Sequence, residues 1–281
     1  VGSETKGAKS WFGVGDFGIQ PSEFAKGATA LALAKVLSSI DADFSKWRTK
    51  IASIFVIVVP MLLVFLQNDT GSALVFASFV FVLFREGLSA YVLVFGAALI
   101  VLFVSALLID KYILVAILFA LCLVAWLVIK RKSHRTKVWL FLVCFLISSA
   151  VVFAVDVVFD KGLEQHQKDR IEVLLGKKED LKGVGYNVNQ SKIAIGSGGF
   201  VGKGFLNGTQ TKYNFVPEQD TDFIFCTIGE EWGFIGSSIT IILFLTLCIR
   251  LVKMAERQRS KFARIYGYGV ASIIFFHFFV N

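Results

Sequence analysis

The 281 residues are 56% hydrophobic and 18% charged, with a formal net charge of +8 and a mean hydropathy of +0.70. A soluble domain of this size carries fewer apolar and more charged residues, so the composition excludes an ordinary soluble enzyme. The apolar residues fall in long runs without alternation, which excludes an outer-membrane barrel and points to helices, since backbone groups in hydrocarbon must pair within their own segment.

In chain order, the pattern predicts eight spans over residues 21–40, 51–66, 71–86, 91–109, 112–129, 138–159, 223–252 and 265–281. Most are long enough to cross about 30 Å of hydrocarbon at a rise of about 1.5 Å per residue. The third is short, and Pro21, Gly71 and Gly87 mark turns at helix ends. The run 223–252 is too long for one straight span, so its turns before Gly233 are expected at the interface or within the protein. The fold class is therefore an all-α polytopic integral membrane protein: a single membrane domain over 1–281, with one large extracellular loop at 160–221. The chain opens at Val1 without a methionine, and its last apolar run is still open at Asn281, so truncation at both ends is expected.

Basic residues set the sidedness. Lys46, Arg48 and Lys50 occupy one loop, Arg85 borders the next on that side, and Lys130, Arg131, Lys132, Arg135 and Lys137 fill a third. Lys253, Arg257, Arg259, Lys261 and Arg264 fill the last. If the spans alternate, all four lie on one side, which the positive-inside rule makes cytoplasmic. The charge thus reads as topology and contact with anionic lipid, and no nucleic-acid partner is expected. Loop 160–221 then lies outside, where long loops translocate regardless of charge.

Cys122, Cys144, Cys226 and Cys248 sit in or beside apolar spans with no C-x-x-C pair, and are expected to be small buried hydrophobes. His134, His166 and His277 lack ligand spacing, so no zinc site is expected.

Four groups of residues invite chemistry. Glu23 and Lys26 lie three apart behind Pro21, on one face of the first span; they are either an interfacial pair or ionisable groups facing a cavity. Asp69 precedes Thr70-Gly71 where the third span starts, and Asp69 or Thr70 reads as the cap of that helix. Asp222 is the last acid before the chain re-enters the bilayer. It too caps a helix, or it is a half-dehydrated carboxylate whose pKa rises toward that of a useful base. Glu230 and Glu231 follow, as acids at or below the interface that cap or pair locally. The stretch from Gln190 to Gly204, rich in glycine and with Lys192 and Lys203, invites a P-loop reading, but Ser197 stands where the first glycine belongs and Gly204 where the magnesium-binding hydroxyl belongs. A flexible backbone that approaches a phosphate closely is what survives.

Taken in order, Lys6–Trp11, Gln20–Lys26, Gln67–Gly71, Gln190–Gly204 with Gly208-Thr209-Gln210, Phe215–Phe225 and Gly229–Gly236 resemble the SEDS family (shape, elongation, division and sporulation), most of all its rod-shape-determining branch. The resemblance implies a peptidoglycan glycosyltransferase of the bacterial cytoplasmic membrane that polymerises lipid II. It implies Asp222, in Thr-Asp-Phe-Ile-Phe, as the essential aspartate and general base, with undecaprenyl pyrophosphate leaving. Glu23 and Lys26 match the family's membrane acid and base, and Asp69 keeps a carboxylate in a motif altered at Asn68 and Thr70. Arg170 matches a basic position; with Lys192, Ser191, Gln190 and Lys203 it is expected to bind substrate. A divalent cation, magnesium or manganese, with Asp69 as a ligand, is compatible with this chemistry. The implied partners are a class B penicillin-binding protein, which cross-links the strands, and other elongation-complex membrane proteins. Relative to the family, spans 112–129 and 138–159 are additional, an even number that preserves sidedness. Two other readings stand beside this one: a lipid II flippase, in which Glu23 and Lys26 line a polar path, and a non-catalytic scaffold that recruits the transpeptidase.

Overall fold

The computed structural model describes residues 3–5, 8–14, 17–39, 44, 46–67, 69–132, 138–162, 168, 172, 186–213, 215–216 and 223–280. Among these, a short antiparallel meander precedes the helices: β1 (Ser3–Thr5), β2 (Ala8–Val14) and β3 (Phe17–Ile19), in that order. Ser3 pairs with Trp11, and Phe12 with Ile19. The sequence reading contained no strands. Their signal is seven residues long in β2 and was outweighed by the helical runs that follow.

The rest is helical, and the fold is that of an all-α polytopic membrane protein. The helices are α1 (Pro21–Ser38), α2 (Trp47–Phe65), α3 (Thr70–Val75), one 3₁₀ turn (Phe76–Ser78), α4 (Phe79–Arg85), α5 (Ala90–Leu108), α6 (Lys111–Lys132), α7 (Val138–Gly162), α8 (Tyr186–Gly198), α9 (Thr209–Lys212), α10 (Ile224–Glu256) and α11 (Lys261–Val280). By length and composition, five of them can cross a membrane: α2, α5, α6, α10 and α11. Two shorter apolar helices, Thr70–Arg85 and Phe141–Val155, accompany them. The count of eight spans expected from sequence is therefore not reproduced on these criteria, under which α1 does not qualify. The most apolar windows of α5, α6 and α10 are only 6% buried. Apolar side chains that face outward over whole helices are the reverse of a soluble core and fit a lipid surround.

The chain divides into two compact units. The first comprises 1–90 and 191–281. Its core joins Ala30, Leu33 and Leu37 of α1 to Phe76, Phe79 and Val82 around the 3₁₀ turn, and to Ile265 and Tyr268 of α11. Small residues let α1 and α11 approach closely: a Cβ on Gly269 would stand 3.0 Å from that of Ala30. At one end of this unit, Arg85 pairs with Glu256, donates to the Tyr268 hydroxyl at 3.2 Å and lies 5.1 Å from its ring centre. Arg264 meets Glu86 at 3.3 Å beside it. Of the bases at 253–264 that the sequence puts on Arg85's side, Arg264 lies beside it.

The second unit comprises 91–190. It contains α5, α6 and α7, and the Phe119 and Phe145 rings meet edge-on at 5.5 Å between α6 and α7. Of the four cysteines, all free, only Cys226 is buried; Cys144 is exposed, and Cys122 and Cys248 lie between. The expectation of four buried thiols is corrected accordingly, because apolar spans bordered by lipid need no protein cover.

Candidate functional site

Helix direction gathers the polar residues of the first unit. With Arg85, Glu256 and Arg264 at one end, the opposite end holds the start of α1, the start of α3, the start of α10 and the close of α11. Glu23, Lys26, Asp69, Glu230 and His277 sit on those termini.

Pro21 opens α1 at its first position, where no backbone donor is missed, and Gln20 adopts the extended conformation of a cap. This launches Glu23 and Lys26 on one face, and they form an ion pair at 2.7 Å. Lys26 is only 2% exposed, whereas Glu23 is 52% exposed. A buried ammonium needs acceptors. A second contact comes from 251 residues away: His277 Nε2 on α11 lies 2.6 Å from Lys26 Nζ, the donor being set by the imidazole tautomer. A histidine without ligand spacing thus enters the site, and its sequence signal was simply an ionisable group inside the run Phe275-Phe276-His277-Phe278-Phe279.

Asp69 caps α3, its Oδ1 accepting from the Ser72 amide at 3.0 Å. Its Oδ2 accepts from Gln20 Nε2 at 2.7 Å, so the cap also ties α3 to the start of α1. Asp69 is thus a cap, at the same end of the unit as Glu23 and Lys26. Among the described residues, no three His, Cys, Asp or Glu side chains converge as a metal site.

Glu230 is the hub of the other arm. It is fully buried, and its two oxygens accept from Lys203 Nζ (2.6 Å), the Gln210 amide (2.9 Å), the Thr211 amide and hydroxyl (3.0 Å each) and the Thr209 hydroxyl (3.2 Å). Hydrogen bonds to a carboxylate, two of them from backbone and one charge-assisted, offset the cost of burying it. Lys203, expected to bind substrate, is occupied by this carboxylate and by Thr209 at 2.8 Å.

The glycine-rich stretch also has a different task from the one expected. Residues up to Gly198 complete α8, and Gly199–Gly204 pair with the kink of α10 rather than forming a free cradle. Helix α10 breaks at Gly233 (φ 60°, ψ −156°), where its backbone leaves the helical ladder. The loop mends the break: the Lys203 and Gly204 amides donate to the Glu230 and Glu231 carbonyls at 3.0 and 2.9 Å, and the Phe234 and Ile235 amides donate to the Gly199 and Phe200 carbonyls at 2.9 and 3.2 Å. Gly202 (φ +86°) lies against the Glu231 carbonyl, where a Cβ would overlap it. The expected excess length of this helix is thus resolved as a buried amino-terminal piece, with Cys226, Gly229 and Glu230, followed by an outward-facing span.

On α8, Ser191 is buried, Gln190 is partly buried and Lys192 is exposed. Asp222 and Arg170 lie outside the described residues. Asp222 immediately precedes Phe223, the cap of α10, eight positions ahead of the Glu230 hub.

Residues 1–119 and 115–281 match the family described as cell cycle protein, FTSW_RODA_SPOVE. Peptidoglycan glycosyltransferase MrdB of Escherichia coli K12 is 34% identical over 281 residues, covering 100% of this chain and 62% of that protein. Peptidoglycan glycosyltransferase RodA of Treponema pallidum is 31% identical over 306 aligned residues, covering 100% and 69%. The chain thus spans 62% of the length of the first of these relatives. Its fold resembles that of a chain from a peptidoglycan synthase complex that coordinates polymerization and crosslinking, with a TM-score of 0.58 and 24% identity over 97% of this chain and 61% of that one.

Proposed function

The chain belongs to the cell cycle protein family FTSW_RODA_SPOVE, and on that premise we propose that it is the membrane core of a peptidoglycan glycosyltransferase polymerising lipid II at the outer face of the bacterial cytoplasmic membrane. The match of its full length to proteins named peptidoglycan glycosyltransferase carries this reading. The common placement of Glu23, Lys26, Asp69 and Glu230 at one end of the first unit supports it.

Asp222 acts as general base, taking the proton from the 4-hydroxyl of the acceptor sugar. That oxygen then bonds to the anomeric carbon of the donor, and the bond to undecaprenyl pyrophosphate breaks, leaving its electron pair on the pyrophosphate. A placed base contributes about 10²–10⁴-fold. The departing anion is stabilised by Arg170 and Lys192 and by the field of Lys26, which is buried and acts through a low-dielectric interior rather than by open contact. Glu23 is the exposed member of its pair, and Asp69 would be the carboxylate to hold a divalent cation, which would supply positive charge to the departing pyrophosphate. Gln190 and Ser191 are assigned to substrate binding, while Lys203 serves by fastening 203–211 to α10, the helix that Asp222 leads into. A class B penicillin-binding protein in the same membrane cross-links the product, alongside other elongation-complex membrane proteins.

The test is glycan-strand formation from purified lipid II by the natural full-length protein, with and without Asp222→Asn. Polymer from the wild type and not from the variant supports the reaction and its base. No polymer from either, with transpeptidase partner and divalent cation supplied, overturns the reading.

A further inference from the structure

Lys26 is a buried ammonium held between two acceptors on different helices. Glu23 Oε1 takes one N–H at 2.7 Å from within α1. The other contact, 2.6 Å to His277 Nε2, crosses to α11, and a distance this short requires a single proton between the two nitrogens. The carboxylate on the far side favours that proton on Lys26. His277 is then a neutral imidazole protonated on Nδ1, because a second cation at this distance would be repelled by the ammonium. Apolar packing gives no reason for an imidazole here: its neighbours along α11 are phenylalanines, and Phe278 stacks on Phe244 at 4.4 Å between ring centres. Lys26 is buried, so an N–H that lost the imidazole would lack an acceptor at that point, and the i, i+3 contact to the half-exposed Glu23 would hold the ammonium from one side alone. The close approach of α1 and α11 at Ala30 and Gly269 sets the spacing that lets the imidazole reach.

We propose that His277 is the positioning residue of Lys26: its Nε2 fixes the ammonium against Glu23, and so fixes where the positive charge and the exposed carboxylate stand. This deepens the glycosyltransferase reading and rests on it for the consequence in catalysis, but the contact itself is testable without turnover. The step is a hydrogen bond with no net proton transfer. Its ammonium retains one N–H beyond the two contacts described.

The experiment uses the natural full-length protein in detergent or nanodiscs, labelled with ¹⁵N-histidine, with the His277 signal identified by its loss in His277→Gln. The expected signal is a neutral ring with Nδ1 protonated and Nε2 accepting, which shifts in Lys26→Met. In polymerisation of purified lipid II, His277→Leu lowers kcat about tenfold or more with KM retained, since misplacement by about 1 Å can cost about 10²-fold. His277→Gln, which offers an amide oxygen as acceptor, recovers most of that loss, and all variants keep the wild-type unfolding temperature within error. A merely space-filling histidine would give the opposite order, with Leu tolerated better than Gln. A charged ring, a ring protonated on Nε2, or a signal indifferent to Lys26→Met overturns the proposal, as does equal activity of Leu and Gln variants. If the spectra come out as expected but the wild type makes no polymer, the glycosyltransferase reading fails while the Lys26–His277 pairing stands.

Discussion

Replacing Glu230 by Ala removes the acceptor for five donors at once. Lys203 loses its carboxylate and keeps only the Thr209 hydroxyl while 27% exposed, and the Thr211 amide and hydroxyl are left buried. Breaking a buried ion pair from one side costs about 3–5 kcal/mol, and each buried donor left unsatisfied about 1–3 kcal/mol. The sum is not additive, since a freed segment can move to water, so about 3–5 kcal/mol is the expected weakening of the local fastening. At about 1.4 kcal/mol per factor of ten, segment 203–213 should open roughly a hundred to several thousand times more often. Amide hydrogen exchange read by mass spectrometry on the full-length protein in nanodiscs checks this, through peptides covering Gln210 and Thr211. Glu230→Gln keeps one acceptor oxygen but turns an NH₂ toward donors, so it should fall between wild type and Ala. Exchange within about threefold of wild type in Glu230→Ala would refute the hub, because it would mean that the five contacts are individually replaceable by water.

Gly202→Ala forces a side chain into positive φ and against the Glu231 carbonyl, so it should destabilise by about 2–4 kcal/mol and lower the unfolding temperature in detergent. Gly196→Ala, with open space around it on α8, is the control and should be neutral or slightly stabilising. Asp69→Ala should cost about 0.5–2 kcal/mol through the lost cap of α3, whereas Asp69→Asn keeps an acceptor for Ser72 and should be nearly as stable as wild type. If Asp69→Asn nevertheless loses lipid II polymerisation, the carboxylate charge itself is used in the reaction; retained activity would leave Asp69 as a cap alone.

The helices were legible because the bilayer imposes one rule along the whole chain: runs of about 20 apolar residues. Even the break at Gly233 was announced, by a segment too long for a single span. The short meander before α1 was not, since a few strand residues leave no comparable excess of pattern. In the site, Glu23 and Lys26 were readable as a pair because an i, i+3 spacing specifies a neighbour within a helix. Asp69 was readable as a cap for the same local reason, while its bond to Gln20, 49 residues away, was not.

Local rules, periodicity and helix termini, therefore determined from sequence alone that this is a polytopic helical membrane protein and that Glu23, Lys26 and Asp69 stand near helix starts, whereas α8 and α9 lie in the segment 160–221 that the sequence reading treats as one loop. Tertiary structure alone decided the partners. His277 reaches Lys26 because small residues bring α1 and α11 together, and Lys203 meets Glu230 because the glycine loop folds onto a kinked helix. The reason is physical: hydrogen bonds and ion pairs act over about 3 Å, and residues 27 or 251 positions apart come within that range through packing that no local pattern encodes.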